Sequence, residues 1–212
     1  MFSSLFNSLK SKLIVPILAT FVVVVGIIAF VVNSEVSNII NMTATQQLHS
    51  AISSINTYFE TLEEQVLMSA NAIAGSYEVI SIVRSVEDGA DESTVAAQLL
   101  EYLALHKQHS SVNAIVIVDP EGIALARSHL PTQYGDFGAG PPALAALDGL
   151  RVTMYTPTPT VPLVLAGAAP IISNGEIIGG IASMIDIGLE DTVDYISESF
   201  GADVSIFWET PL

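Results

Sequence analysis

Cysteine is absent from the 212 residues of this chain. Disulfide stapling, thiolate metal sites and thiol nucleophiles are excluded with it. Basic residues are nearly as scarce, six Lys and Arg against 22 Asp and Glu, for a formal charge of -16. Nucleic-acid binding needs Lys and Arg clusters to neutralise phosphates, and none exists here. The same deficit disfavours lying flat on an anionic lipid surface. Charge of either sign is thin, at 13% of residues, while half the chain is apolar. That balance excludes a disordered acidic chain. The only histidines are His49, His106, His109 and His129, and they form no H-E-x-x-H or similar zinc pattern. No G-x-G-x-x-G or G-x-x-x-x-G-K-[ST] segment offers a phosphate cradle. Asp186, Glu190, Asp191 and Asp194 lack the glycine and ligand order of a calcium loop. No spacing isolates a carboxylate pair for acid–base work. The expectation is a protein that is not an enzyme, with no cofactor and no metal.

What the chain does have begins at Leu13. The run to Val32, LIVPILATFVVVVGIIAFVV, holds 20 residues without a charge. At about 1.5 Å per residue a helix of this length matches a hydrocarbon core of roughly 30 Å. Lys10 and Lys12 precede the run, Glu35 follows it, and the next basic residue is Arg84. The positive-inside rule then assigns residues 1–12 to the cytoplasm, 13–32 to a membrane helix and everything after Val32 to the outside. A cleaved signal peptide would have a shorter apolar region and a small-residue cleavage motif, which VVNSEVS lacks. The part beyond the anchor has four basic residues against 22 acidic ones, a formal -18. Such a surface repels anions at long range unless a local basic site overcomes it.

Residues 35–75 contain no proline and read as a long helix. Ile52, Ile55, Phe59, Leu62, Val66, Ser69 and Ile73 alternate steps of three and four, the seam of a heptad pattern. The stripe suits a homodimer contact or packing on the protein's own sheet, and a tethered rod favours the dimer. Gly75 is a natural stop. A second helix is expected over 93–107, capped by Asp91 or Ser93, with Val95, Leu99, Tyr102 and Leu103 inward; VEDGADES before it reads as a loop. The periodicity then changes. AIVIV at 114–118 is a buried strand, Asp119 to Gly122 a turn, and IALARSH at 123–129 the returning strand. A glycine-rich loop at 135–142 and a short helix at 142–150 follow. Strands are expected at 151–156, 163–172 and 176–187, the last two joined by a tight Asn174-Gly175 turn. A helix at 189–199 and a strand at 203–208 complete the reading. With two tight turns in the sheet, the fold class is α+β with a mainly antiparallel sheet, residues 33–200 forming one external domain. Residues 201–212 are its last strand or the start of a second module.

A tethered helix feeding an external antiparallel sheet resembles the Cache family of extracellular sensor domains, found in bacterial chemotaxis receptors and sensor histidine kinases. AIVIVDPEGIALARSH at 114–129 is similar to that family's first hairpin. YGDF at 134–137 resembles the segment that often comes next, and LAGAAPIISNGEIIGGIASMIDI at 165–187 resembles its later hairpin. The family's amino-acid-binding subset carries an aromatic and arginine run that does not map onto this chain, whose one tryptophan is Trp208. Whole receptors continue into a cytoplasmic signalling region, so the resemblance implies the input end of one. It implies a PAS-like sheet, an inner-membrane location with the domain on the periplasmic side, and binding of a small solute. The alternative function is a membrane-anchored protein-interaction module or a truncated receptor.

Arg127 is the sharpest candidate for ligand contact, a guanidinium ending an apolar strand in a domain almost without positive charge. Its fixed fork of donors suits a carboxylate; the plainer reading pairs it with Asp136. His129, two residues on, is expected to share its strand face. The resemblance places Tyr134 and Asp136 in the loop near the pocket mouth. Thr153 and Tyr155 share one face of a later strand.

Overall fold

The computed structural model describes residues 9–108, 110–159, 161–188, 194, 197 and 198. It divides into two compact units, Met1–Ser53 and Ser54–Leu212. The helix expected at 189–199 and the strand at 203–208 lie outside the described residues, apart from helical Asp194, Ser197 and Glu198. His109 lies outside them too.

The anchor and the long helix are one element, α1, Leu9–Ala74. Nothing between Val32 and Glu35 breaks a helix, so the two expected segments fuse. In the first unit, Pro16–Asn33 is long and apolar enough to cross a membrane, and none of it is buried by protein. A helix apolar on all sides, with its backbone bonds satisfied internally, is the form that lipid stabilises. Thr20 Oγ1 donates to the carbonyl of Pro16 at 2.8 Å, the bond to the i−4 carbonyl that Ser and Thr make within helices.

The second unit holds the end of α1 and every other described element. α1 stops at Ala74, and Gly75 N–H caps it onto the Asn71 carbonyl at 2.9 Å. α2, Tyr77–Glu87, buries Val79 and Val83. The sequence reading contained no helix here and placed Val86 and Glu87 in a loop. An 11-residue helix is only about three turns long, and such a helix is held by packing more than by propensity. α3, Glu92–Lys107, is capped by Asp91, whose carboxylate accepts from Thr94 N–H at 3.2 Å. Val95, Leu99 and Leu103 face inward as expected.

Five strands follow: β1 Ala114–Val118, β2 Ala124–Arg127, β3 Val152–Thr156, β4 Val164–Ser173 and β5 Glu176–Asp186. The short helix α4, Pro141–Leu147, precedes β3. All described pairings are antiparallel, in the order β2-β1-β5-β4-β3. β2 is shorter than expected. It ends at Arg127, so Ser128 and His129 belong to the following turn. Both tight turns form as read. Gly122 takes φ +82° with its N–H on the Asp119 carbonyl. Asn174 and Gly175 both take positive φ, 53° and 86°, as a two-residue hairpin requires.

The two sheet faces are covered differently. On one, Ile115, Ile117, Leu165, Ile171, Ile181 and Ile185 join α1, α2 and α3 in the main core. The expected heptad stripe is spent here: Leu62, Val66 and Ile73 belong to that core and Ser69 is buried. Over this stretch the seam is an intramolecular face, not a dimer contact, while Ile52 is exposed. The other sheet face carries Val116 and Val118, packed by Ala139 and Ala143. It is only partly filled.

Candidate ligand-binding site

Antiparallel pairing fixes which side chains share a face, since directly opposed residues project the same way. Val116 is opposite Arg127 and Ala182, Ala114 opposite Met184, and Val164 opposite Asp186. These residues form the floor of a cavity of about 600 Å³. The floor is low because alanine recurs on it, at Ala114 and Ala182, and two alanines leave room that two leucines would fill. One wall is the loop after β2, with Leu130, Gln133, Asp136 and Phe137. Pro141 to Ala143 at the start of α4 and Pro157, Thr158, Pro159 and Val161 after β3 close the other sides. Most of the surface is apolar carbon, with polar groups at a few points, which is how small-molecule sites are built.

Arg127 is where the cavity's positive charge resides. β2 delivers its side chain to this face, and it is only 11% exposed. Its guanidinium meets Asp136 through two parallel bonds, Nη1 to Oδ1 at 2.6 Å and Nη2 to Oδ2 at 3.0 Å. Nη1 also donates to the Gln133 carbonyl at 2.9 Å. The hydrogen bond from Arg127 holds the Asp136 carboxyl below its usual range. His129 lines the same cavity from the turn rather than from the strand. Burial first, then the charges of Arg127 and Lys107, keep its imidazole pKa below the usual 6.5, so at neutral pH it adds no charge. At the far end of β5, Asp186 brings a second carboxylate. Its Oδ1 accepts from Gly188 N–H and its own N–H donates to Asn113 Oδ1.

Of the six residues expected at the site, Arg127, His129 and Asp136 line the cavity. Tyr134 is in the same loop but is not among the lining residues, and it is partly exposed. Thr153 and Tyr155 lie outside the cavity lining. They are opposite Gly167 and Leu165, on the face that packs against α1. Tyr155 donates its hydroxyl to Glu63 Oε1 at 2.8 Å, and burial followed by Glu63 raises its pKa. The cavity takes the other parity of that strand, at Thr156. Sequence reasoning missed Thr156, Gln133, Asn113 and Asp186. The alternation separated the two faces of β3 but carried no sign of which one was open. Among the described residues no three His, Asp or Glu side chains gather as a metal site would need.

A helix long and apolar enough to cross a membrane, an antiparallel sheet and a largely apolar cavity lined by a guanidinium are the parts of an extracytoplasmic sensor domain, and the family match bears that class out. Residues 56–192 match the family model described as single cache domain 3. The chain belongs to the Cache family. Among solved structures it is similar to the sensor domain of the V. cholerae histidine kinase DctB, at 16% identity and a TM-score of 0.55, covering 74% of this chain and 58% of that one. It is also similar to the sensory domain of the Campylobacter jejuni chemoreceptor Tlp3, solved with isoleucine bound, at 15% identity and a TM-score of 0.52, covering 73% and 61%. The E. coli DcuS sensor domain aligns at 16% identity and a TM-score of 0.50, covering 68% and 97%. At these identities the likeness is one of fold, and this chain spans well under two thirds of the first of these relatives. No curated protein matches it in sequence.

Proposed function

We propose that this chain is the ligand-sensing input region of a transmembrane receptor, and that a small solute bearing a carboxylate enters the cavity and docks on Arg127. The observation that carries this reading is a guanidinium lining a largely apolar cavity of about 600 Å³, within the usual range of small-molecule sites. The domain is strongly acidic, so a local cation is what an anionic group needs to bind at all. Occupancy would press on the sheet, whose other face is packed on α1, and a shift of α1 would pass toward the membrane. Leu48 and Ile52 are exposed on the membrane-proximal part of α1, and pairing there with a second copy is the dimer contact this reading favours. Residues 33–200 form the sensing domain in this scheme.

The test is a thermal-shift screen of the full chain in detergent micelles against carboxylates, amino acids, amines and purines. Binding to the folded state alone raises its apparent stability by mass action. A saturable shift that disappears in a folded Arg127→Gln variant is expected. A well-folded protein that shifts with none of these compounds would favour a protein partner instead.

A further inference from the structure

The guanidinium that should receive the ligand is already occupied. Asp136 holds it through two bonds, at 2.6 and 3.0 Å, in the forked geometry that a free carboxylate would use. The two partners are not equally fixed. Arg127 is 11% exposed and Asp136 63%, so the carboxylate has open water to swing into while the guanidinium does not. Nη1 has a second partner besides Asp136, the Gln133 carbonyl at 2.9 Å. The loop backbone does not depend on the ion pair. Ala124 N–H donates to Asp136 O at 2.9 Å, and Gly135 N–H to Ala124 O at 2.9 Å. The loop also lies directly on the guanidinium, since a Cβ on Gly138 would stand 2.7 Å from Arg127 Nη2.

We infer that Asp136 is a built-in competitor, a side-chain carboxylate that occupies the ligand's docking group and must rotate out for a ligand to bind. This rests on the proposed function, since it assumes a carboxylate on Arg127. It also narrows the ligand. Once Asp136 is displaced, one guanidinium is free and the Asp186 side chain lines the same cavity, so a monocarboxylate with an apolar body fits where a dicarboxylate would set its second charge against the two aspartates. The competitor lowers apparent affinity by the fraction of molecules in which Arg127 is free. It sets the response to higher solute concentrations without altering the cavity, and it excludes ligands too weak to displace it.

The experiment is calorimetric titration of the full chain in detergent micelles with butyrate, at constant ionic strength, for the wild type and four variants. Asp136→Asn should bind on the order of tenfold more tightly than the wild type, for a pair closed about nine-tenths of the time. Asp136→Ser should do the same, which guards against loss of fold or a new bond from the amide. Arg127→Gln should not bind. Asp186→Asn removes the same charge from the cavity wall without touching Arg127, and its gain should be well below that of Asp136→Asn. Equal gains from the two aspartate variants would reduce the effect to charge and overturn the competitor. Unchanged or weaker binding by both Asp136 variants, with Arg127 still required, would overturn it while leaving the proposed site intact. Binding that survives in Arg127→Gln, or no binding in any variant, would overturn the proposed function and the competitor together.

Discussion

Gly167 lies within β4 where α1 crosses the sheet, and it offers a sharp test of how closely helix and sheet are joined. A Cβ there would lie 2.4 Å from the Val66 carbonyl carbon and 2.5 Å from both Val66 O and Leu67 N. All three are helix backbone atoms, so no side-chain rotation clears them. Carbon atoms in contact prefer about 3.5–4.0 Å, so Gly167→Ala must part helix and sheet by roughly 1 Å. That gap would run along Leu62, Val66, Ala70 and Ile73, which share one core with Leu165 and Ile181. Overpacking usually costs about 1–3 kcal/mol. With backbone on both sides, the expected loss is at the top of that range, about 3 kcal/mol. For a domain of this size that is a fall of roughly 6–12 °C in Tm. Urea unfolding and thermal melts of the full chain in micelles, followed by circular dichroism, read it directly. Gly175→Ala is the comparison: its Cβ meets nothing within 4 Å, but φ is +86°, so it costs only the left-handed penalty of about 1–2 kcal/mol. If Gly167→Ala lost no more stability than Gly175→Ala, the close approach of α1 to the sheet would be refuted.

Two further outcomes follow from the same core and cavity. Ser69 Oγ lies 3.2 Å from Ser183 Oγ and 3.1 Å from His106 Nε2, a polar bridge within an apolar interface. Ser183→Ala should cost about 1 kcal/mol, seen as a lower urea midpoint with an unchanged slope, and a stabilised variant would contradict the bridge. His129 has its pKa depressed below 6.5, so as pH falls through 6.5 the unfolded chain takes up a proton before the folded one does. Its stability contribution is therefore full above that value and eroded below it. His129→Gln should flatten the decline in Tm between about pH 7.5 and pH 5, and parallel declines in the two proteins would count against it.

Where local signals were strong, the sequence was legible. The Asn174-Gly175 turn needs two positive φ values, and the Asp119–Gly122 turn needs one, so each announced a hairpin. The 20-residue apolar run announced the anchor. α2 was missed although its signal is present: Val79, Val83 and Val86 stand four and three residues apart and pack into the core, the spacing of an amphipathic helix. β2 was overextended because Ser128 and His129 continue an alternation that the turn then interrupts.

The site divides along the same line. Arg127 was legible because a lone cation ending an apolar strand is conspicuous in an acidic domain. Its bond to Asp136 was also legible as the plainer of two readings, although that such a pair lines a cavity was not. Thr153 and Tyr155 show the limit most clearly: the period of two is written in the residues, but both faces of the sheet are covered, and nothing local marks the open one.

The sequence by itself determined most of the elements, the anchor and its orientation, and the scarcity of positive charge that singles out Arg127, because propensity, turn geometry and transfer to lipid act over a few residues at a time. Only the tertiary structure decided that the heptad stripe on α1 packs on its own sheet, that the cavity opens on the face of Ala182 rather than that of Ser183, and that Asp136 occupies the guanidinium, because each depends on which distant surfaces meet when the chain buries its apolar side chains.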